Sequence, residues 1–207
     1  MMMFYFTCAL AAVCGYLVGG INPSIILSKL IYKKDIRECG SGNPGFTNFK
    51  RTFGNGAVTW IVLLADILKT ALPIIVFSCV MGASFGQRQL GAALTGFACM
   101  LGHAFPVWYG FRGGKSFVAG FATACFVDWR VGLIFLGVFM ILLFTAKYMS
   151  LASIVGTLVY PTALAFFHPS VAVEVLAICS ALLVVLRHRK NIVRLFSGKE
   201  PKFHLKK

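Results

Sequence analysis

Acidic side chains are scarce in this chain: six Asp and Glu stand against twenty Lys and Arg in 207 residues. A soluble domain of this size covers its surface with charges of both signs. Here 58% of residues are hydrophobic and the mean hydropathy is +0.83. The shortage therefore excludes an ordinary soluble domain and points to a polytopic membrane protein. The formal charge of +14 does not point to nucleic acid. No basic helix or aromatic-basic alternation stands clear of the apolar runs to form such a surface. The cations read instead as groups gathered at one membrane face, where they meet anionic headgroups and anionic substrates.

Other absences narrow the reading further. The seven cysteines contain no C-x-x-C pair, six lie within apolar runs, and Cys39 reads as a reduced thiol with no chemical role. The first apolar run, residues 4–26, lacks a basic segment before it, and Val13 before Cys14 argues against lipoprotein processing, so it reads as a transmembrane helix. No G-x-x-x-x-G-K-[ST] loop is present: Tyr109 stands where its first glycine would fall before Lys115, which removes support for nucleotide hydrolysis. No repeat relates residues 1–100 to 101–207.

A spanning helix needs about 20 apolar residues. On that ruler seven helices are expected, near 4–26, 57–81, 88–110, 116–128, 131–147, 151–167 and 171–187, the fourth short and partial or tilted. With the N-terminus outside, seventeen Lys and Arg fall in cytoplasmic segments and two, Arg88 and Arg130, on the outer side. This asymmetry predicts an outside N-terminus, a cytoplasmic C-terminus and one all-α membrane domain over residues 1–207.

Three polar segments interrupt this apolar chain, and the charge count puts all of them on the cytoplasmic face: GSGNPGFTNFKR at 40–51, GHAFPVWYGFRGGK at 102–115 and RHRKNIVRL at 187–195. In the first, Gly40 to Gly45 can leave backbone N–H groups free to wrap an anion, followed by the hydroxyl and amide of Thr47 and Asn48. The alternative is a plain turn between helices. Lys50 and Arg51 tip the balance toward phosphate, because a guanidinium beside such a nest completes the site. In the second, Gly113, Gly114 and Lys115 precede a helix start, where unpaired N–H groups and the positive dipole end favour an anion. His103, on the same face, is able to exchange a proton near neutral pH. His168 on the outer face and His204 in the tail read as surface residues. In the third segment the cations read as a headgroup anchor and Asn191 as an orienting amide. Asp66 and Lys69, three residues apart within the second span, read as a structural ion pair.

Taken in order, these elements resemble the bacterial acyl-phosphate:glycerol-3-phosphate acyltransferase family: GSGNPGFTNFKRTFG at 40–54, ADILK at 65–69, GHAFPVWYGFRGGK at 102–115, the turn Ser150-Leu151-Ala152-Ser153, and RHRKNIVRLFSGKE at 187–200. The resemblance implies seven transmembrane helices in the bacterial cytoplasmic membrane, with a cytoplasmic active site. It implies transfer of an acyl group from acyl phosphate to the 1-hydroxyl of glycerol 3-phosphate, giving lysophosphatidic acid and phosphate. No cofactor or metal is expected, since the donor is already activated, and the chain is expected to act as a monomer among membrane lipids. His103, Lys115, Arg51 and Asn191 are the expected catalytic residues. Ser41, Gly42, Asn43, Gly45, Thr47, Asn48, Gly113, Gly114 and Ser150 are the expected phosphate-binding residues. Whether His103 is the base, or only orients the acceptor while the substrate phosphate takes the proton, stays open.

Four positions depart from the family pattern: Phe46 stands for the usual Ala, Arg112 for Lys, and Ser116-Phe117 for Gly-Val. The H-x-x-x-x-D pair of the other large glycerolipid acyltransferase type is missing, Trp108 standing five residues after His103. A small carrier for phosphate or another organic anion is the alternative, since glycine-broken helices with terminal cations also suit transport sites.

Overall fold

The computed structural model describes residues 1–203, so His204 lies outside the described residues; those described are all-helical. Ten α-helices follow one another: α1 Met2–Gly20, α2 Pro23–Tyr32, α3 Phe46–Phe53, α4 Ala57–Phe85, α5 Arg88–Ala104, α6 Phe117–Val127, α7 Trp129–Thr145, α8 Met149–Ala165, α9 Val171–Arg187 and α10 Arg189–Phe196. Helices occupy all seven segments expected from hydropathy, and α2, α3 and α10 are additional. Among the described residues three stretches are long and apolar enough to cross a bilayer unaided: residues 2–32, 57–85 and 88–109. A fourth qualifies if the bent pair α9–α10 counts as one.

The first apolar run is not one helix through residue 26. It breaks at Ile21–Asn22 because Pro23 disfavours helical backbone before it and opens α2 itself. The Asn22 side chain caps α2 by accepting the Ile25 N–H at 3.1 Å and donates to the Pro44 carbonyl at 3.1 Å. The break therefore ties the end of α1 to the glycine-rich loop before α3. It also leaves the Ile21 carbonyl free to accept from Lys69 Nζ at 2.7 Å.

Helix packing in a membrane gains nothing from burying apolar surface against apolar surface, so close approach of backbones matters more. Small residues mark each crossing. Gly15 and Gly19, a G-x-x-x-G pair on α1, lie against Thr95 and Cys99 of α5, and Gly102 of α5 lies against the backbone of Tyr16 and Gly20. Gly91 meets the Phe77 carbonyl of α4, Gly96 meets Thr123 of α6, Gly132 of α7 meets Cys125, and Gly156 of α8 meets Phe135. Helix α5, touched by α1, α4, α6 and α9, is the axis of the bundle. On α4 the residues Trp60, Leu64, Leu68 and Leu72 form an exposed apolar stripe, while Asp66, Lys69 and Thr70 are buried on the inner side.

Helix α6 has eleven residues, a length of about 16 Å, roughly half a hydrocarbon core of about 30 Å. A short sixth helix leaves room for the irregular segment before it, residues 105–116, to enter the bundle from one end. Replacing Gly102 with Ala would bring Cβ within 2.8 Å of Gly20 N. The expected outcome is a destabilisation of roughly 1–3 kcal/mol in thermal melts of the detergent-purified protein. Gly137→Ala on α7, with open space around the new Cβ, is expected to melt as the parent or slightly higher.

Candidate active site

The three polar segments converge on one cavity of about 180 Å³. Ser41, Gly42 and Asn43 come from the first segment, Gly113 and Lys115 from the second, and Arg187, Arg189, Lys190, Asn191 and Arg194 from the third. A second cavity of about 380 Å³ shares Gly42, Gly113 and Arg187 with it and adds Asp35, Arg37, Glu38, Pro44, Phe111 and Arg112.

The first loop is shaped from inside by Asn48, 2% exposed. Its Oδ1 accepts the Ser41 N–H at 2.9 Å, and its Nδ2 donates to the carbonyls of Cys39 at 2.9 Å and Ile36 at 3.3 Å. Gly40 and Gly42 take left-handed φ of 56° and 71°, as only glycine does without strain. The expected nest of free amides is smaller than the glycines suggest. The N–H of Ser41 is held by Asn48, that of Gly42 by the Cys39 carbonyl, and that of Gly45 by the Asn43 carbonyl. Gly45, Thr47 and Asn48 are absent from the cavity wall. Arg51 is exposed on the last turn of α3, near enough for its charge to act on Lys115. Phe46 stacks obliquely on Trp60, ring centroids 5.4 Å apart.

The second segment folds over His103. The Gly114 N–H donates to the His103 carbonyl at 2.9 Å. A Cβ on Gly114 would strike the His103 ring, and one on Gly113 would strike the His103 carbonyl, so both glycines are required by close approach. His103 itself is 7% exposed and does not line the cavity. Its Nδ1 lies 2.9 Å from Lys69 Nζ, which also contacts Asp66 Oδ1 at 2.9 Å and the Ile21 carbonyl. Asp66 and Lys69 are the expected ion pair, with His103 as a third member. An ammonium has only protons to give, so Nδ1 is the acceptor and the ring proton sits on Nε2.

Arg187 closes the segment from the other side. Its Nε donates to the Gly114 carbonyl at 2.9 Å and its Nη2 to the Gly113 carbonyl at 2.8 Å, and its guanidinium lies 5.0 Å from the Phe105 ring centre. The reading of this cation as a headgroup anchor is thereby corrected: it holds backbone. Arg189, Lys190 and Arg194 likewise reach the cavity wall. They are brought there by a 60° bend between α9 and α10 at His188.

Lys115 Nζ donates to Asn191 Oδ1 at 2.6 Å. Asn191 is 5% exposed, and its Nδ2 donates to Glu200 Oε1 at 2.7 Å. Ser150, 4% exposed, is absent from the cavity wall and donates from Oγ to the same Glu200 oxygen at 2.7 Å. Burial pushes the Lys115 ammonium down to about 8; Glu200 pulls it back up, while Arg194, Arg51 and Arg187 push it further down. Sequence reasoning passed over Arg187 and Glu200. A cluster of cations with one carboxylate nine residues after Asn191 was the available signal.

Ser116, one of the departures, takes φ 60° as the residue before α6, a left-handed conformation that favours glycine. It is 1% exposed, and its Oγ donates to the Met100 carbonyl at 2.7 Å. The hydroxyl bond offsets the strain and pins Lys115 to α5. Ser116→Ala keeps the strain and loses the bond, so thermal melts should show a loss of roughly 1–2 kcal/mol. Ser116→Gly should stay within about 1 kcal/mol of the parent, losing strain and bond together.

Comparison with known proteins gives a consistent result. Residues 9–198 match the family described as glycerol-3-phosphate acyltransferase. A glycerol-3-phosphate acyltransferase of Bartonella henselae is 36% identical over 201 residues, covering 97% of this chain and 93% of its own. One from Thermoanaerobacter pseudethanolicus is 36% identical over 193 residues, covering 93% of this chain and 94% of its own. Among solved structures, an integral membrane glycerol 3-phosphate acyltransferase in its glycerol 3-phosphate form superposes with a TM-score of 0.86 at 33% identity, covering 95% of this chain and 96% of that one. Its lysophosphatidic acid form gives a TM-score of 0.81 at the same identity and covers 95% of each chain.

Proposed function

Because the chain belongs to the glycerol-3-phosphate acyltransferase family, we propose that its cavity moves a fatty acyl group from acyl phosphate to the 1-hydroxyl of glycerol 3-phosphate. The products are lysophosphatidic acid and inorganic phosphate, and the step begins phospholipid synthesis. One observation carries this reading. Segments far apart in the chain bring Lys115, Arg187, Arg189, Lys190 and Arg194 to one wall, and no carboxylate among the described residues lines it. Donor and acceptor both carry phosphate, so a wall whose charges are all positive suits their binding and the charge released on the leaving phosphate.

The acceptor hydroxyl oxygen attacks the acyl carbon, the bond from that carbon to the phosphate oxygen breaks, and phosphate departs with the electron pair. Lys115 and the arginines hold the phosphates, Ser41 and Asn43 bound the acceptor side, and Asn191 fixes Lys115. The hydroxyl proton passes to a substrate phosphate, whose second pKa is about 6. His103 serves as an orienting donor. Its Nδ1 already accepts from Lys69, and its remaining ring proton sits beside the Gly113-Gly114 backbone that carries Lys115.

The same reading gives seven spans with the N-terminus outside, and it puts this cavity on the cytoplasmic face. The positive-inside asymmetry of seventeen to two Lys and Arg supports it. A carrier would place its anion site between repeated halves near the midplane. The cationic wall here lies at one end of the bundle, where the loops before α3 and α6 meet the bend after α9.

Purified protein given acyl phosphate and glycerol 3-phosphate should release phosphate only when the acceptor is present. Acceptor-independent release, or anion uptake into vesicles without acyl transfer, would sink the proposal. His103→Gln, which keeps an N–H donor, should retain kcat within about tenfold, whereas His103→Ala should lose on the order of a hundredfold. Equal loss in both variants would make His103 the base.

A further inference from the structure

The tail after α10 turns back onto the site. Glu200 Oε1 accepts from both Ser150 Oγ and Asn191 Nδ2 at 2.7 Å, and Oε2 accepts from Arg194 Nε at 2.7 Å. The turn is anchored on both sides of Glu200. Its own N–H and that of Lys199 bond to the Arg194 carbonyl, and the Phe203 N–H bonds to the Lys147 carbonyl at 2.6 Å. A carboxylate gripped by a hydroxyl, an amide and a guanidinium is held far more firmly than a solvated tail residue needs to be.

We propose that Glu200 is a positioning residue for acyl transfer: it locks the Asn191 amide with its carbonyl oxygen toward Lys115, and its charge offsets the cations crowding the Lys115 ammonium. The amide argument is geometric. An Asn side chain has two nearly isosteric orientations, and only the one with Nδ2 toward a carboxylate leaves Oδ1 to accept from an ammonium. Glu200 selects that orientation, so the Lys115 bond of 2.6 Å depends on a residue that does not line the cavity.

The charge argument rests on what surrounds Lys115. Arg51 faces it from α3, Arg187 from the end of α9, His188 from the bend, Arg194 from α10 and Glu200 from the tail. Of these groups Glu200 alone is negative. Burial opposes its ionisation, yet the bonds from Asn191, Ser150 and Arg194 hold its carboxyl below the usual range, so it stays charged throughout the working pH. With Lys115 titrating at about 8, loss of that one negative charge would leave the ammonium unopposed among cations and lower its proton affinity.

The inference rests on Lys115 gripping substrate phosphate, and the test separates the two. The pH dependence of kcat/KM for glycerol 3-phosphate is measured with acyl phosphate for the parent, Glu200→Gln and Lys115→Met. The parent should lose activity on the alkaline side with a midpoint near 8. In Glu200→Gln, Oε1 still accepts from Ser150 and Asn191, but the charge is gone. Its midpoint should move down by about one unit, giving about fivefold lower kcat/KM at pH 8 with near-equal values at pH 6. An alkaline midpoint unmoved in Glu200→Gln, whatever the absolute rate, overturns the inference. Full activity in Lys115→Met instead overturns the reading of the site. If Glu200→Gln does not fold, Arg194→Gln reads whether Lys115 responds to the charges around it: removing that cation should move the midpoint up, and a midpoint that stays put shows that surrounding charge does not set it, which overturns the inference.

Discussion

A half-buried guanidinium bonded to two backbone carbonyls holds this molecule's working end together. Backbone polar groups enclosed by protein need partners, so an irregular segment seated on a helical bundle is tolerated only where its neighbours satisfy it. Residues 105–116 are such a segment, and Arg187 supplies donors to the carbonyls of both Gly113 and Gly114 from the far end of α9. From this clamp follow the close seating of the glycines on His103, the direction of Lys115 and the nearness of the second and third polar segments. The clamp also explains why α9 must end where it does. A guanidinium one turn earlier or later would miss both carbonyls.

A second layer of support lies beneath. The Asn-Pro break after α1 frees the Ile21 carbonyl, Lys69 takes it, and the same ammonium fixes Asp66 and the His103 ring. Three ionisable groups at this depth are expensive singly. Together they form a cluster in which the Lys69 ammonium touches the Ile21 carbonyl, the Asp66 carboxylate and the His103 ring at once. The site's floor is therefore set by a helix break that contributes no side chain to the cavity.

The helical segments were legible because apolar runs of spanning length have few alternatives in a chain this hydrophobic. The polar segments were legible because glycines and cations have no reason to sit between such runs unless they work. What escaped were features that depend on partners distant in sequence. Asn22-Pro23 lies inside an unbroken apolar run, so hydropathy continues the helix through it to Ile26, whereas the backbone cannot. Arg187 sits among three other cations and, read locally, resembles any basic stop after a span. Glu200 is a single carboxylate in a polar tail, indistinguishable from a solvated one until Ser150 is placed beside it, fifty residues away. Asn48 reads as a ligand group by type, but its amide faces inward and builds the loop.

The bend at His188 has a further consequence. It turns α10 by 60° from α9 and leaves Val193 and Phe196 largely exposed on a helix whose Asn191 is buried. Such a helix suits the interfacial layer, apolar side toward the acyl boundary. On the function proposed above, the cavity walled by that helix stands where lipid gives way to water. A lipid-borne donor reaches it by lateral diffusion, so the quantity governing its encounter is mole fraction in the bilayer. The water-borne acceptor arrives from a bulk solution governed by molarity. Diluting the membrane with inert lipid would then slow the enzyme as diluting a reagent does in solution, with the aqueous volume unchanged.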